Sequence, residues 1–308
     1  MTSAAEPELT YFAFAPSAGK QAERQLACLP PVPDLLCNRY RVERLLSVGG
    51  MGAVFRARDL MREQLGDPCP VVAIKTLNNE CGEYRDAPML LHSEFVRTLR
   101  LRHPNVIRVL HFDIDPTSDH PFIVMELLEG ITLDQLLLRQ PQGLAWSDIH
   151  SIGDGLLTAV AHCHDQGAVH GDIKPSNILA GKDGVRLFDF GLGHSDQVDL
   201  PQLDRERFKA WTPRYAAPEI LQGELASRAA DVYSLGCVLL ELSGGHLEGE
   251  GERQRPAQMP IDIWKLINTA IVSQPKQRCS ARQLQEAWRQ VDRPRFFAKW
   301  KVRFQRAL

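Results

Sequence analysis

Between residues 41 and 57 apolar and polar side chains alternate around a cluster of glycines, the period-two pattern of two strands joined by a tight turn. Residues 70–77 form a short run rich in β-branched side chains and predict another strand. Over residues 92–102, Phe95, Leu99 and Leu101 fall among basic residues at helical spacing. That helix should stop at His103-Pro104-Asn105, because proline has no N–H and its ring clashes with the preceding turn. Two further strands are expected over residues 106–112 and 122–127. Beyond Gly130 the period becomes helical, over residues 146–166, 229–243 and 261–273. A small β-rich half thus precedes a larger helical half, with no internal repeat, and residues 1–38 read as an extended, proline-punctuated tail.

Composition narrows the class without naming a chemistry. The chain has 308 residues, of which 44% are hydrophobic and 24% charged, enough apolar surface for a substantial core and too much for a disordered chain. Lys plus Arg is 36 against 38 for Asp plus Glu, so the net charge of -2 gives no bulk attraction for nucleic acid. Seven cysteines, an odd number with no Cys-x-x-Cys pair, predict free thiols in a reducing compartment. The N-terminus lacks a signal-peptide pattern, Thr2 excludes an N-myristoyl glycine, and no apolar run reaches the roughly 18 residues a bilayer needs. A cytoplasmic location is expected.

Three segments carry candidate chemistry. Leu46-Ser47-Val48-Gly49-Gly50-Met51-Gly52-Ala53-Val54 puts glycines where backbone N–H groups can approach phosphate oxygens, although a hairpin turn explains the same glycines. Val72-Ala73-Ile74-Lys75 ends an apolar strand on a lysine; such an ammonium either reaches solvent or meets anions, and Glu94 on the following helix is a natural partner. The most specific signal is Val169-His170-Gly171-Asp172-Ile173-Lys174-Pro175-Ser176-Asn177 followed by Leu187-Phe188-Asp189-Phe190-Gly191. Phosphoryl transfer needs one carboxylate to take a hydroxyl proton, a second to hold a metal on the phosphates and a further oxygen ligand. Asp172, Asp189 and Asn177 match that requirement.

With these motifs in this order, residues 38–290 resemble the eukaryotic-like (Hanks-type) serine/threonine protein kinases; Gly49-Gly50-Met51-Gly52 and Lys174-Pro175-Ser176-Asn177 are most similar to the bacterial branch. The resemblance implies an α+β, bilobal fold, with a β-rich N-lobe at 39–127 carrying the helix known as helix C, a mainly helical C-lobe at 128–290, and tails at 1–38 and 291–308. It implies ATP with Mg2+ (Mn2+ as an alternative) and protein substrates with Ser or Thr acceptors. By the resemblance, Asp172 is the catalytic base, Lys174 steadies the γ-phosphate, Lys75 binds the α/β-phosphates and pairs with Glu94, and Asn177 and Asp189 ligate the metal. The same family pattern places Ser47, Val48, Gly49, Gly50, Gly52, Val54, Ala73 and Leu179 around the nucleotide, with Met125 as gatekeeper and the backbone of Glu126 and Leu128 meeting adenine. Trp211-Thr212-Pro213-Arg214-Tyr215-Ala216-Ala217-Pro218-Glu219 resembles the peptide-positioning loop, Asp231 the helix aspartate that braces the catalytic loop, and Arg278 the partner of Glu219.

The chain departs from the family pattern at several positions. Ser47 replaces the first glycine of the phosphate loop. Gly171 stands where regulated kinases carry an arginine that receives an activation-loop phosphate, and between Asp189 and Glu219 the only Ser or Thr besides Thr212 is Ser195; turnover independent of activation-loop phosphorylation is expected. Thr98 occupies a usually apolar position, where its hydroxyl either loosens the helix or bonds back to a helix carbonyl. A Gly- and Glu-rich stretch after Ser243 predicts a mobile loop. After Asp292, six basic residues surround Phe297, Trp300, Phe304 and Leu308, a pattern for a basic amphipathic helix that meets a membrane surface, a partner, or the chain's own helical lobe. Two other classes compete with an active protein kinase: a pseudokinase scaffold, opposed by the complete set Lys75, Glu94, Asp172, Asn177 and Asp189, and a small-molecule kinase, opposed by the loop from Thr212 to Glu219.

Overall fold

A computed structural model of the chain describes residues 32–48, 52–77, 87–195, 212–244 and 254–291. Gly49, Gly50, Met51 and Trp211, the stretch 245–253 and both terminal segments, 1–31 and 292–308, lie outside the described residues, and with them the expected mobile loop and basic tail helix.

The small lobe is built on a six-stranded antiparallel sheet. Its strands are β1 (Leu35–Leu36), β2 (Tyr40–Val48) and β3 (Gly52–Asp59); a short helix α1 (Leu60–Gln64) capped by the Asp59 carboxylate follows, then β4 (Val71–Leu77), helix α2 (Ala87–Leu99), β5 (Val109–Ile114) and β6 (Pro121–Glu126). The order across the sheet is β1-β2-β3-β4-β6-β5. β1 precedes residue 39, yet Leu36 is completely buried on the sheet, so the fold starts earlier than the tail boundary read from composition. Helix α2 starts five residues before and ends three before the 92–102 range expected from the sequence, because Pro88 is tolerated in a first turn while Leu99 to Arg102 turn away to reach His103-Pro104. β5 likewise starts three residues late: Val106 and Ile107 pair instead with Leu187 of the large lobe.

β4 is central, so both its faces are covered and the period of two assigns each side chain. Val72 and Ile74 join Leu36, Tyr40, Phe122 and Val124 on the outer face. Ala73 and Leu77 join Leu46, Val54, Leu91, Ile123 and Met125 on the inner face, above the cleft. Lys75 lies between Ala73 and Leu77 and therefore shares their face, which directs it inward instead of out to solvent.

The large lobe begins with β7 (Ile131–Thr132), α3 (Leu133–Arg139) and the long α4 (Trp146–Asp165), followed by β8 (Ala168–Val169). A hairpin of β9 (Ile178–Gly181) and β10 (Gly184–Leu187) comes next, then β11 (His194–Ser195), which pairs with β8. Helices α5 (Pro218–Leu221), α6 (Arg228–Leu242), α7 (Ile261–Ala270) and α8 (Ala281–Gln290) complete it. α7 ends at Ala270, before the 273 expected from periodicity, where the chain enters the turn leading to Pro275. α6 is buried almost all round and forms the axis of the lobe; its start is set by Ser227, whose hydroxyl accepts from the Ala230 N–H.

α8 buries Ala281, Leu284, Gln285 and Trp288, one stripe at i, i+3, i+4 and i+7, against α4. The indole sits so close to α4 that a Cβ at Gly153 would overlap its ring, and Trp288 Nε1–H donates to the His150 carbonyl at 3.1 Å. Trp288→Ala empties that site and removes the indole's bond to α4. Unfolding in urea should show a loss of about 3–5 kcal/mol, and a loss under about 1 kcal/mol would show that α8 is not part of the cooperative core.

Candidate functional site

At the inner face of β4, Lys75 Nζ lies 2.7 and 2.8 Å from the two carboxylate oxygens of Glu94 and 2.8 Å from Asp189 Oδ1. Glu94 is delivered by the same helical stripe that buries Leu91 and Thr98, so burying that face of α2 also aims the carboxylate at the sheet. Burial alone would lower the Lys75 pKa; the charges of Asp189 and Glu94 overcome it and the pKa rises. Burial would raise that of Asp189, but the Lys75 ammonium prevails and holds it at about 2. Glu94 is pushed upward by burial, which the nearby Lys75 charge only partly offsets.

Asn177 and Asp189 are brought together by the β9–β10 hairpin. Ile178 pairs with Leu187 at its open end, so the residue before Ile178 and those after Leu187 emerge side by side. Phe188 N–H donates to the Asn177 carbonyl at 3.1 Å. Asp189 then takes φ 68°, a left-handed conformation costly for a residue with a Cβ, and this turns its carboxylate back toward Lys75.

Asp172 is held from two sides. Lys174 Nζ lies 2.7 Å from its Oδ2, and Asn177 Nδ2 donates to its carbonyl at 2.9 Å and to Oδ2 at 3.2 Å. Lys174 Nζ also donates to Thr212 Oγ1 at 3.0 Å, tying the loop before Glu219 to the same group. The backbone beneath is fixed by Asp231 of α6, which accepts from Gly171 N–H at 2.8 Å and from His170 N–H at 2.8 Å, and faces His164 Nε2 at 3.0 Å. Burial would raise the Asp231 pKa, but these hydrogen bonds and the neighbouring imidazoles bring it below the usual carboxylate value. Gly171 takes φ 80°, which a glycine adopts without penalty.

His170, quoted in the motif without a role, is the link between the two loops. Asp172 N–H donates to its Nδ1 at 3.2 Å, so its proton resides on Nε2, which donates to the Phe188 carbonyl at 3.0 Å. Arg97 was not singled out from sequence either: it is buried on α2, with a guanidinium nitrogen 3.4 and 3.5 Å from the carbonyls of Phe190 and Gly191. An arginine in the last turn of an amphipathic helix reads as exposed, and only the tertiary packing reverses that.

Around the cleft, Val54, Ala73, Met125, Leu128 and Leu179 belong to one buried cluster with Leu46 and Phe188. Ser47 and Val48 end β2, half-buried at its rim. The Glu126 N–H is engaged by the Arg108 carbonyl at 3.0 Å, and Glu126 pairs with Val72 of β4. Gly52 has a packing reason of its own: a Cβ there would overlap the Thr76 carbonyl on the neighbouring strand. Thr98 donates to the Glu94 carbonyl at 2.8 Å, the local bond within its own helix. Remote from the cleft, Arg278 clasps Glu219 with 2.6 and 2.8 Å bonds and closes the segment from Thr212 onto the large lobe. Tyr215 of that segment donates to Glu241 at 2.6 Å.

Residues 40–288 match the protein kinase domain family, and the chain belongs to it. Among its relatives are the serine/threonine-protein kinase PkaA of Streptomyces coelicolor, 32% identical over 283 residues that cover 82% of this chain and 50% of the relative. The serine/threonine-protein kinase pkn3 of Myxococcus xanthus is 33% identical over 228 residues, 72% of this chain and 40% of the relative. PrkC of Bacillus subtilis is 30% identical over 218 residues, 70% of this chain and 32% of the relative. The chain therefore spans half or less of the length of these curated relatives.

The Lys75–Asp189 pair has a pH signature. Because the folded Asp189 pKa is depressed, its contribution to stability is complete above the ordinary carboxylate value of 3.8 and is lost as pH falls through about 2. Urea midpoints taken from about pH 5 down to about pH 2 should fall more steeply for the unaltered chain than for Asp189→Asn. Parallel slopes would mean that Asp189 titrates normally in the folded protein.

Proposed function

We propose that this chain is a serine/threonine protein kinase that transfers the γ-phosphoryl group of ATP to protein hydroxyls with Mg2+, or alternatively Mn2+. The observation that carries this reading is the convergence of Lys75, Glu94 and Asp189 on one side of the cleft with Asp172, Lys174 and Asn177 bonded together on the other. The family supports it, as do the relatives named serine/threonine-protein kinases.

The donor chemistry fits a hard cation. Asn177 spends its amide N–H groups on Asp172, which leaves its Oδ1, and Asp189 gives one oxygen to Lys75, which leaves Oδ2. When bound there, the metal supplies neutralisation of phosphate charge. The chain's own residues do the rest. Lys75, fixed between two carboxylates, presents a cation to the phosphates. Asp172 has its Oδ2 committed to Lys174 and Asn177, so Oδ1 is the oxygen that orients the acceptor hydroxyl and receives its proton. Lys174, shared between Asp172 and Thr212, places positive charge beside the acceptor and connects it to the loop that a peptide would meet. The apolar walls of Val54, Ala73 and Leu179 suit an adenine ring, with the Glu126 carbonyl and Leu128 N–H as its polar contacts.

Independence from activation-loop phosphorylation is part of the same reading. Gly171 has no charge to offer a phosphate, and its backbone is already held by Asp231. Two measurements test these statements. Asp172→Asn and Lys75→Met should each lower transfer to a protein acceptor by at least about 10²–10⁴-fold without unfolding the chain; transfer retained by Asp172→Asn would overturn the assignment of the base. Phosphatase-treated protein and Ser195→Ala should both turn over within about threefold of the untreated chain. Loss of turnover with ATP binding intact in either would show that a loop phosphate is required.

A further inference from the structure

The connection between α2 and β5 is tied to the large lobe beside two stacked imidazoles. His103 lies against His162, in the last turn of α4, with ring centroids 5.0 Å apart and planes at 26°. Both residues are half-buried, and His162 Nε2 is closed off from water with no hydrogen-bond partner among the described residues. Asn105 N–H donates to His103 Nδ1 at 3.1 Å, so the neutral His103 ring carries its proton on Nε2.

That bond sets the turn from which Asn105 reaches the β9–β10 hairpin. Asn105 Nδ2 donates to the Val185 carbonyl at 2.8 Å, its carbonyl accepts from Leu187 N–H at 2.8 Å, and Ile107 N–H donates to the Leu187 carbonyl at 2.9 Å. α4 leaves room at Gly155, where a Cβ would lie 2.6 Å from Val185 Cγ2 and 3.1 Å from Asn105 Nδ2. Asn105 thus ties the residues that follow α2, the helix of Glu94, to the strand that leads into Asp189.

Protonation of His103 has one place to occur. Nε2 already holds a proton, so a second enters at Nδ1; the lone pair that receives the Asn105 N–H is lost, and two N–H groups are left pointing at each other. The groups facing the ring oppose this cation. They are His162 from α4 and Arg186 from β10, both basic, and no carboxylate joins them among the described residues. Asp165, three residues beyond His162, is held by Arg282 of α8. Burial first, then His162 and Arg186, bring the His103 pKa below the ordinary 6.5.

We propose that His103 is an acid-operated latch: neutral, it holds the connection after α2 on β10 through Asn105; protonated, it lets that connection go. Because the folded pKa is depressed, the latch contributes fully above 6.5 and its contribution is lost as pH falls through the lower folded value. The segments that carry Glu94 and Asp189 then lose a tie they share outside the cleft. The inference concerns conformation and stability and does not rest on the proposed activity.

Hydrogen exchange on the full chain, corrected for the intrinsic dependence of exchange on pH, tests it. From about pH 7.5 to about pH 5, amides of residues 105–107 and 185–188 should lose protection about tenfold, while those of α7 keep theirs. His103→Asn puts an amide oxygen where Nδ1 stood, an acceptor that does not titrate, and should make protection there independent of pH. Arg186→Gln should move the loss to higher pH. In the unaltered chain the His103 imidazole resonance, identified by its absence from His103→Asn or His103→Gln, should titrate below 6.5. Constant protection in the unaltered chain over this range overturns the proposal, as does an equal loss in His103→Asn or a midpoint that ignores Arg186→Gln. So does a His103 resonance that titrates at or above 6.5.

Discussion

A lysine ammonium leaves water only where anions meet it, and the cleft of this protein is organised around one that has done so. Lys75 touches Glu94 from a helix and Asp189 from a loop more than a hundred residues further on, at 2.7 and 2.8 Å. Removing the ammonium leaves the Glu94 and Asp189 carboxylates facing one another without a cation, which costs far more than an exposed ion pair contributes. Three structural elements therefore hold one relative position: the inner face of β4, the buried stripe of α2 and the turn after β10. The raised Lys75 pKa and the depressed Asp189 pKa express the same dependence.

The second group, around Asp172, has a different foundation. Its backbone hangs on Asp231, a carboxylate inside the most buried helix of the large lobe, which accepts the N–H groups of two consecutive residues before Asp172. Charged side chains at the floor of the cleft are thus positioned by buried ones beneath them. The two groups meet through the hairpin, since Asn177 leads into β9 and Asp189 follows β10, and through the His170 ring, bonded to Asp172 N–H on one nitrogen and to the Phe188 carbonyl on the other.

Which parts of this were legible follows from the range of the forces involved. The direction of Lys75 stayed open between solvent and anions until the inner face of β4 was known, and the roles around Asp172 came from motif order and family resemblance. The strands and long helices showed in their hydrophobic period, but their ends moved where tertiary bonds intervened: Val106 and Ile107 were drawn off β5 by Leu187, and α7 stopped short at Ala270. The β9–β10 hairpin, α3 and α8 were not picked out, being short or, for α8, polar on all but one stripe. Gly52 was read for phosphate approach or a hairpin turn, whereas the Thr76 carbonyl on the neighbouring strand leaves no room for a Cβ there in any case. Arg97 could not have been found from its helix, because the carbonyls that receive it belong to a loop distant in sequence.

Arg97 also bears on the glycine at position 171. Gly171, before the proposed base Asp172, carries no charge, so any cation that holds α2 to the segment after Asp189 lies elsewhere. In this chain the helix supplies it: the Arg97 guanidinium approaches the carbonyls of Phe190 and Gly191 one turn beyond Glu94. Contacts of 3.4 and 3.5 Å are long for hydrogen bonds, but a buried guanidinium still feels carbonyl dipoles strongly because little water screens them. The same charge favours the ionised form of Glu94 against the burial that raises its pKa. One arginine thereby steadies both the carboxylate that faces Lys75 and the loop that carries Asp189, from inside the protein and without a modifiable residue.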